Sequence, residues 1–166
     1  MGILSVRTTS KTKGIEVIRL EVEMNTDSIL LLKECDAGCR MGVDSMMQAR
    51  SYAENPRLLA VIEKYLERHK DFGDKCHRLL NAEREETQEP PKMASAFAKI
   101  SMDMKMLMEK DSAKISEILV DGCNMGVKSL TEKMHKYANA DEKCINLATE
   151  LIEMEQKMSQ DLLQFL

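Results

Sequence analysis

Apolar residues recur at helical spacing along most of this chain, in two long runs that resemble each other. From Thr26 to Ala53 the positions Ile29, Leu32, Cys35, Cys39, Val43, Met46 and Ala49 share one helical face, with Asn25 or Thr26 as N-cap. Glu54-Asn55-Pro56 closes this helix, because Asn tolerates the left-handed C-terminal conformation and Pro suits the first turn of a new helix. A second helix follows, with Leu59, Ile62, Leu66, His69, Gly73, Cys76 and Leu80 on its stripe, and so short a connection predicts antiparallel neighbours. The polar patch from Glu85 to Pro91 interrupts the pattern. Beyond it Met93, Phe97, Ile100, Met104 and Leu107 form the stripe of a crossover helix. A further helix starts near Asp111 or Ser112 and runs to about Ala138 through Ile115, Leu119, Gly122, Cys123, Gly126, Val127, Leu130 and Met134. Asp141 then caps a last helix carrying Cys144, Leu147, Leu151, Met154 or Glu155, Met158, Leu162 and Phe165.

The exception is Ile18 to Met24, which alternates apolar and polar residues behind the turn-prone TTSKTKG and reads as a short hairpin or extended arm. Two readings stay open for residues 1–24: a partner-binding extension, or a start placed upstream of a core that begins near Met24.

GCRMGV at 38–43 returns as GCNMGV at 122–127, a shift of 84, and a shift of 85 then aligns Tyr52-Ala53 with Tyr137-Ala138, Leu59 with Cys144, Ile62 with Leu147 and Leu66 with Leu151. This is a duplicated helical hairpin, and two copies joined by a long crossover favour a closed bundle over a solenoid. Each glycine inside a helix costs roughly 1 kcal/mol relative to Ala, so something must offset all four. Gly-x-x-x-Gly removes two side chains from one face. The expectation is that the first and third long helices cross antiparallel with Gly38 and Gly42 against Gly122 and Gly126; the alternative is that the glycines make room for a ligand.

Composition agrees with a helical protein: 166 residues, 43% apolar, 4% aromatic, enough for one domain with a real core. A net charge of −4 without a Lys/Arg face interleaved with aromatics argues against nucleic acid as partner. Residues 1–24 lack an apolar signal core, no segment approaches the length of a membrane span, and Val6 misses the Ser or Thr of a myristoylation signal, so a cytoplasmic protein is expected. Five cysteines without a C-x-x-C pair fit reduced thiols rather than a disulfide framework.

The landmarks LLKECDAGCRMGVDSMMQARSYAENPRLL, PPKMASAFAKISMDMKMLM, ILVDGCNMGVKSL and ELIEMEQKM, in that order, resemble a small uncharacterised bacterial branch of the ferritin-like superfamily. The resemblance covers roughly residues 27–166 and implies an up-down-down-up four-helix bundle; it does not by itself imply iron. Iron chemistry in that superfamily needs a Glu from two helices and Glu-x-x-His from the other two. Here Glu63 and Glu67 stand at the wrong spacing from His69, and the last helix offers Glu150, Glu153 and Glu155 without any His. On the glycine-bearing helices Glu34 and Asp36 fall at the edge of the inward stripe, and Glu117 and Asp121 off it.

A convergence of Cys35, Cys39 and Cys123 near the crossing of the first and third long helices is an alternative to plain core packing and would make a soft set suited to Cu(I), with Met102, Met104, Met106 and Met108 nearby in sequence. Alternate residues of a helix point apart, however, and Cys and Met also serve as plain core fillers. His69 lies on an apolar stripe, while His77 and His135 have polar surroundings. No nucleophile triad, phosphate loop or paired acid marks a reaction. The reading is therefore an all-α, ferritin-like bundle (arm 1–24; first hairpin 26–85, crossover 86–111, second hairpin 112–166). It has no assigned catalytic, cofactor or metal residues and acts as a structural or interaction module. Its arm and crossover are surfaces for a homodimer or another protein partner. The alternative is a metal-binding protein, with di-iron through unorthodox ligands or Cu(I) through Cys and Met.

Overall fold

Each long helix begins where a short polar side chain precedes the apolar run. The Oδ1 of Asn25 accepts the Ser28 amide at 2.8 Å, that of Asn55 accepts Arg57 at 2.9 Å, and that of Asp111 accepts Ala113 at 2.9 Å. Each bond satisfies a donor that the first helical turn leaves orphaned, typically worth about 1 kcal/mol. The structure, a computed structural model, describes residues 24–83, 98 and 111–166. Four long helices result: α1 Thr26–Tyr52, α2 Pro56–Ala82, α3 Ser112–Lys136 and α4 Glu142–Leu162, followed by a short turn of 3₁₀ helix at Leu163–Phe165. No strand occurs among the described residues. The strand-like arm and the crossover helix, with its Met102, Met104, Met106 and Met108, lie outside them, apart from Met24 and Ala98.

Asn55 corrects the expected helix ending. It is extended (φ −69°, ψ 117°) and caps α2, whereas α1 ends on Ala53, also extended. A Pro at the first position of α2 favours extended backbone in the residue before it, so Asn55 serves as N-cap.

The described residues form an all-α four-helix bundle running up, down, down, up. Asn25 at the start of α1 donates to the Asn139 carbonyl at 2.9 Å, and the Met24 amide reaches Glu83 just past α2. One end of the bundle therefore holds the start of α1, the end of α2, the end of α3 and the start of α4. At the other end Arg57 meets Gln164 and Lys64 meets Asp161. α1 packs on α2, α3 and α4 alike, and α4 packs on α2, so α1 and α4 lie across the short diagonal of the bundle. The core between them contains Leu31, Cys35, Tyr65, Leu66, Ile115 and Leu151, each at most 1% exposed.

Burial repeats along the chain, with a different register for each helix of the hairpin. Buried Leu31, Leu32, Glu34, Cys35, Cys39 and Met46 correspond at a shift of 84 to buried Ile115, Ser116, Ile118, Leu119, Cys123 and Leu130. Buried Leu58, Ile62, Tyr65, His69, Phe72 and Cys76 correspond at a shift of 86 to buried Cys144, Ala148, Leu151, Glu155, Met158 and Leu162. The shift of 85 expected over the second helices is thus one residue short. The loop after α3 (137–141) is two residues longer than the loop after α1 (53–55), which accounts for the change of register. His69 and Glu155 thereby occupy matching positions.

Candidate functional site

His69 projects from α2 onto α1 at the place where Gly42 offers no side chain. A Cβ at Gly42 would stand 2.6 Å from His69 Cδ2 and 2.9 Å from its Nε2. On the matching helix a Cβ at Gly126 would have Glu155 as its nearest neighbour, at 3.6 Å. This corrects the expected packing at two of the four positions: Gly42 and Gly126 face side chains from α2 and α4, His69 and Glu155, rather than a backbone of the opposite helix. At Gly42 the ring needs that missing side chain, whereas at Gly126 a Cβ would make only an ordinary contact with Glu155.

The two side chains meet there. His69 Nε2 lies 2.8 Å from Glu155 Oε1, and His69 Nδ1 lies 2.8 Å from the Tyr65 carbonyl oxygen. A carbonyl only accepts, so Nδ1 carries a hydrogen and donates to it. The remaining proton of the pair sits between Nε2 and Oε1, and the pair is neutral overall whichever atom holds it. With His69 1% and Glu155 9% exposed, that neutrality and both hydrogen bonds are what make their burial tolerable.

Above this pair a groove of about 550 Å³ lies between α1 and α3, walled by Gly38, Met41, Gly42 and Met46 on one side and Ile118, Gly122, Met125 and Gly126 on the other. His69, Leu151, Glu155 and Met158 form its floor, and Lys128, Lys133 and Lys136 line it from its middle to one end. Lys133 is paired across the groove with Glu34, a residue expected at an edge but buried here against that ammonium. Asp36, also expected at the edge, is buried and pairs with Arg40 at 3.1 Å. Burial raises the Asp36 carboxyl above the usual range, with Arg40 and then His77 opposing.

The remaining sequence candidates separate. Glu63, Glu67, Glu150 and Glu153 all face solvent, and Glu67 spends its carboxylate on Lys70. Glu150 and Glu153 line a shallow depression on the outer face of α2 and α4 among Arg68, Asp71 and Lys157. Among the described residues no three His, Cys, Asp or Glu side chains gather as a metal site. The thiols do not converge either. Cys35 and Cys39 lie toward Cys76 on the α2 side, whereas Cys123 stands beside Glu155. Burial pushes all five thiols up, Cys76 to about 12, so they hold their protons at neutral pH and are weak nucleophiles and weak ligands. No helix among the described residues is long and apolar enough to cross a membrane.

No protein-family model and no curated protein matches the chain. A solved structure does: the crystal structure of a DUF305 fragment from Deinococcus radiodurans superposes with a TM-score of 0.66 at 10% identity, covering 84% of this chain and 94% of that one. The likeness is one of fold alone. It agrees with the four-helix arrangement described above.

The pairing of His69 with Glu155 escaped the sequence reading although both residues lay on inward stripes. The signal was the spacing of 86, which pairs the one inward imidazole with the one inward carboxylate of the second helices.

Proposed function

We propose that this protein is a binding module rather than an enzyme, and that it works by holding an apolar guest in the groove between α1 and α3. The supporting observation is the composition of that groove. Four methionines, Met41, Met46, Met125 and Met158, line it together with both pairs of glycines. Its volume falls in the range of small-molecule sites. Methionine side chains adapt to guests of different shape, and glycines on both walls keep the trough open. The floor supplies no activated nucleophile: Cys123 is held protonated, chiefly by burial and then by Glu155. A reducing cytoplasm suits five free thiols.

Binding of the neutral apolar fluorophore N-phenylnaphthylamine tests this reading. Its emission rises on entering an apolar site, and Gly126→Leu, which puts a branched side chain into the trough, removes the rise while the thermal melt stays cooperative. Equal fluorescence gain by parent and Gly126→Leu protein overturns the assignment.

A further inference from the structure

The groove is long and chemically lopsided. Its α3 wall runs from Ile118 to Lys136, a rise of about 27 Å at 1.5 Å per residue. At the Ile118 end Leu119, Met46 and Met158 make it apolar. From its middle to its other end three lysines line it: Lys128, Lys133 and Lys136. Lys133 is neutralised by Glu34. Glu132 lies between Lys128 and Lys136 on α3, one helical turn from each, and offsets one of them, which leaves the equivalent of one uncompensated positive charge. Lys136 sits over the Tyr137 ring, 5.2 Å from its centroid, and no ion pair holds it or Lys128 among the described residues. Midway along, both ring nitrogens of His69 are already engaged, so the floor demands no polar group from the middle of a guest.

We infer that the groove takes a single-chain amphiphile with one acidic head, such as a free long-chain carboxylate, its tail along the Met-lined trough toward Ile118 and its head at Lys128 and Lys136. The inference rests on the groove being a binding site and adds the class of guest. Length agrees with it: the ten residues from Lys128 to Ile118 give about 15 Å of trough, enough for an extended tail of about a dozen carbons. Charge agrees as well, since a monoanion matches the net charge of that end and a dianion or a cation does not. A free carboxylate rather than a bilayer is the occupant, because a groove of about 550 Å³ between two helices has the capacity of a small-molecule site and not of a membrane surface.

The test displaces bound N-phenylnaphthylamine from the full chain with dodecanoate, dodecanol or dodecyltrimethylammonium, each below its micelle concentration. Dodecanoate displaces the probe at about tenfold lower concentration than dodecanol does, and the cation is weakest. Lys128→Gln with Lys136→Gln removes the advantage of dodecanoate and leaves dodecanol unchanged; both lysines are exposed, so the variant keeps the parental melt. Dodecanol competing as well as dodecanoate overturns the acidic head while the apolar groove stands. Failure of the parent to bind the probe at all sinks the groove reading instead. Sedimentation with anionic vesicles that Gly126→Leu leaves untouched points to a membrane surface and overturns the inference of a free guest.

Discussion

The imidazole of His69 occupies the space that a side chain on Gly42 would need, with 2.6 Å between its Cδ2 and the nearest Cβ position. The ring cannot swing aside cheaply, because Tyr65 holds one nitrogen and Glu155 the other. Gly126 is the matching residue of the second hairpin, yet its Cβ would touch Glu155 only at 3.6 Å, an ordinary contact. The two glycines should therefore respond in opposite directions. Gly42→Ala destabilises by about 1 to 2 kcal/mol, overpacking outweighing helix propensity, while Gly126→Ala is neutral or stabilising by up to about 1 kcal/mol. Urea unfolding of both variants decides it; equal effects would mean that His69 does not set the requirement at Gly42.

His69 and Glu155 should also be coupled in stability. His69→Leu strands a carboxylate without its partner, a loss of about 3 to 5 kcal/mol by the behaviour of broken buried pairs. Glu155→Leu leaves one ring nitrogen unsatisfied, costing about 1 to 3 kcal/mol. The double variant removes both polar groups together, so it should be more stable than the sum of the single losses predicts, with a coupling of about 1 to 3 kcal/mol. Strict additivity in the cycle would show that the hydrogen bond between them carries no weight.

Periodicity was enough to place the four long helices, because the stripes at Leu32, Leu66, Leu119 and Leu151 sit in amphipathic runs and short polar residues mark the starts. It was not enough to say which neighbour each face meets. Gly42 reads in the sequence as a surface for the α3 backbone, and the structure gives that space to a ring from α2. Glu34 and Asp36 looked peripheral because a carboxylate normally shuns the interior, and each is buried only by virtue of a cation contributed by Lys133 or Arg40. The register of the second helices was misjudged by one residue because two extra loop residues before α4 leave no mark on the apolar pattern.

Asp161 gives the fold a specific acid sensitivity. It accepts from Lys64 at 2.9 Å and from Tyr65 at 2.8 Å, and Lys157 lies at 3.2 Å. These donors, Lys64 first and Tyr65 next, hold its carboxyl down at about 2. A group whose folded value is depressed stabilises the fold above its ordinary value and loses that contribution on acidification. Its share is complete above about pH 4 and falls away as the pH drops from 3.8 toward about 2. The stability difference between the parent and Asp161→Asn should therefore be largest near neutrality and shrink across that window. A difference that stays constant down to pH 2.5 or so would remove Asp161 from the account.

The five thiols should be nearly inert while the bundle is folded. Each is free and at most 3% exposed, and burial keeps each protonated. Alkylation needs a thiolate and an open path, so iodoacetamide should modify the native chain far more slowly than the chain in urea. Differences among the five then report on local opening rather than on intrinsic reactivity. Cys35, Cys39 and Cys76 lie inside the α1–α2 pairing and should react only when the whole bundle opens. Cys144 is different: it sits in the first turn of α4, and its sulfur lies 3.8 Å from that of Met24, which precedes the start of α1. Fraying of that end uncovers it without unfolding the core, so Cys144 should be the first thiol labelled, and Met24→Ala should speed its labelling without changing the other four. Mass mapping of singly alkylated protein gives the order directly. Early labelling of Cys39 or Cys76 would show that the α1–α2 pairing opens before the frayed end does, contrary to the packing described for the bundle.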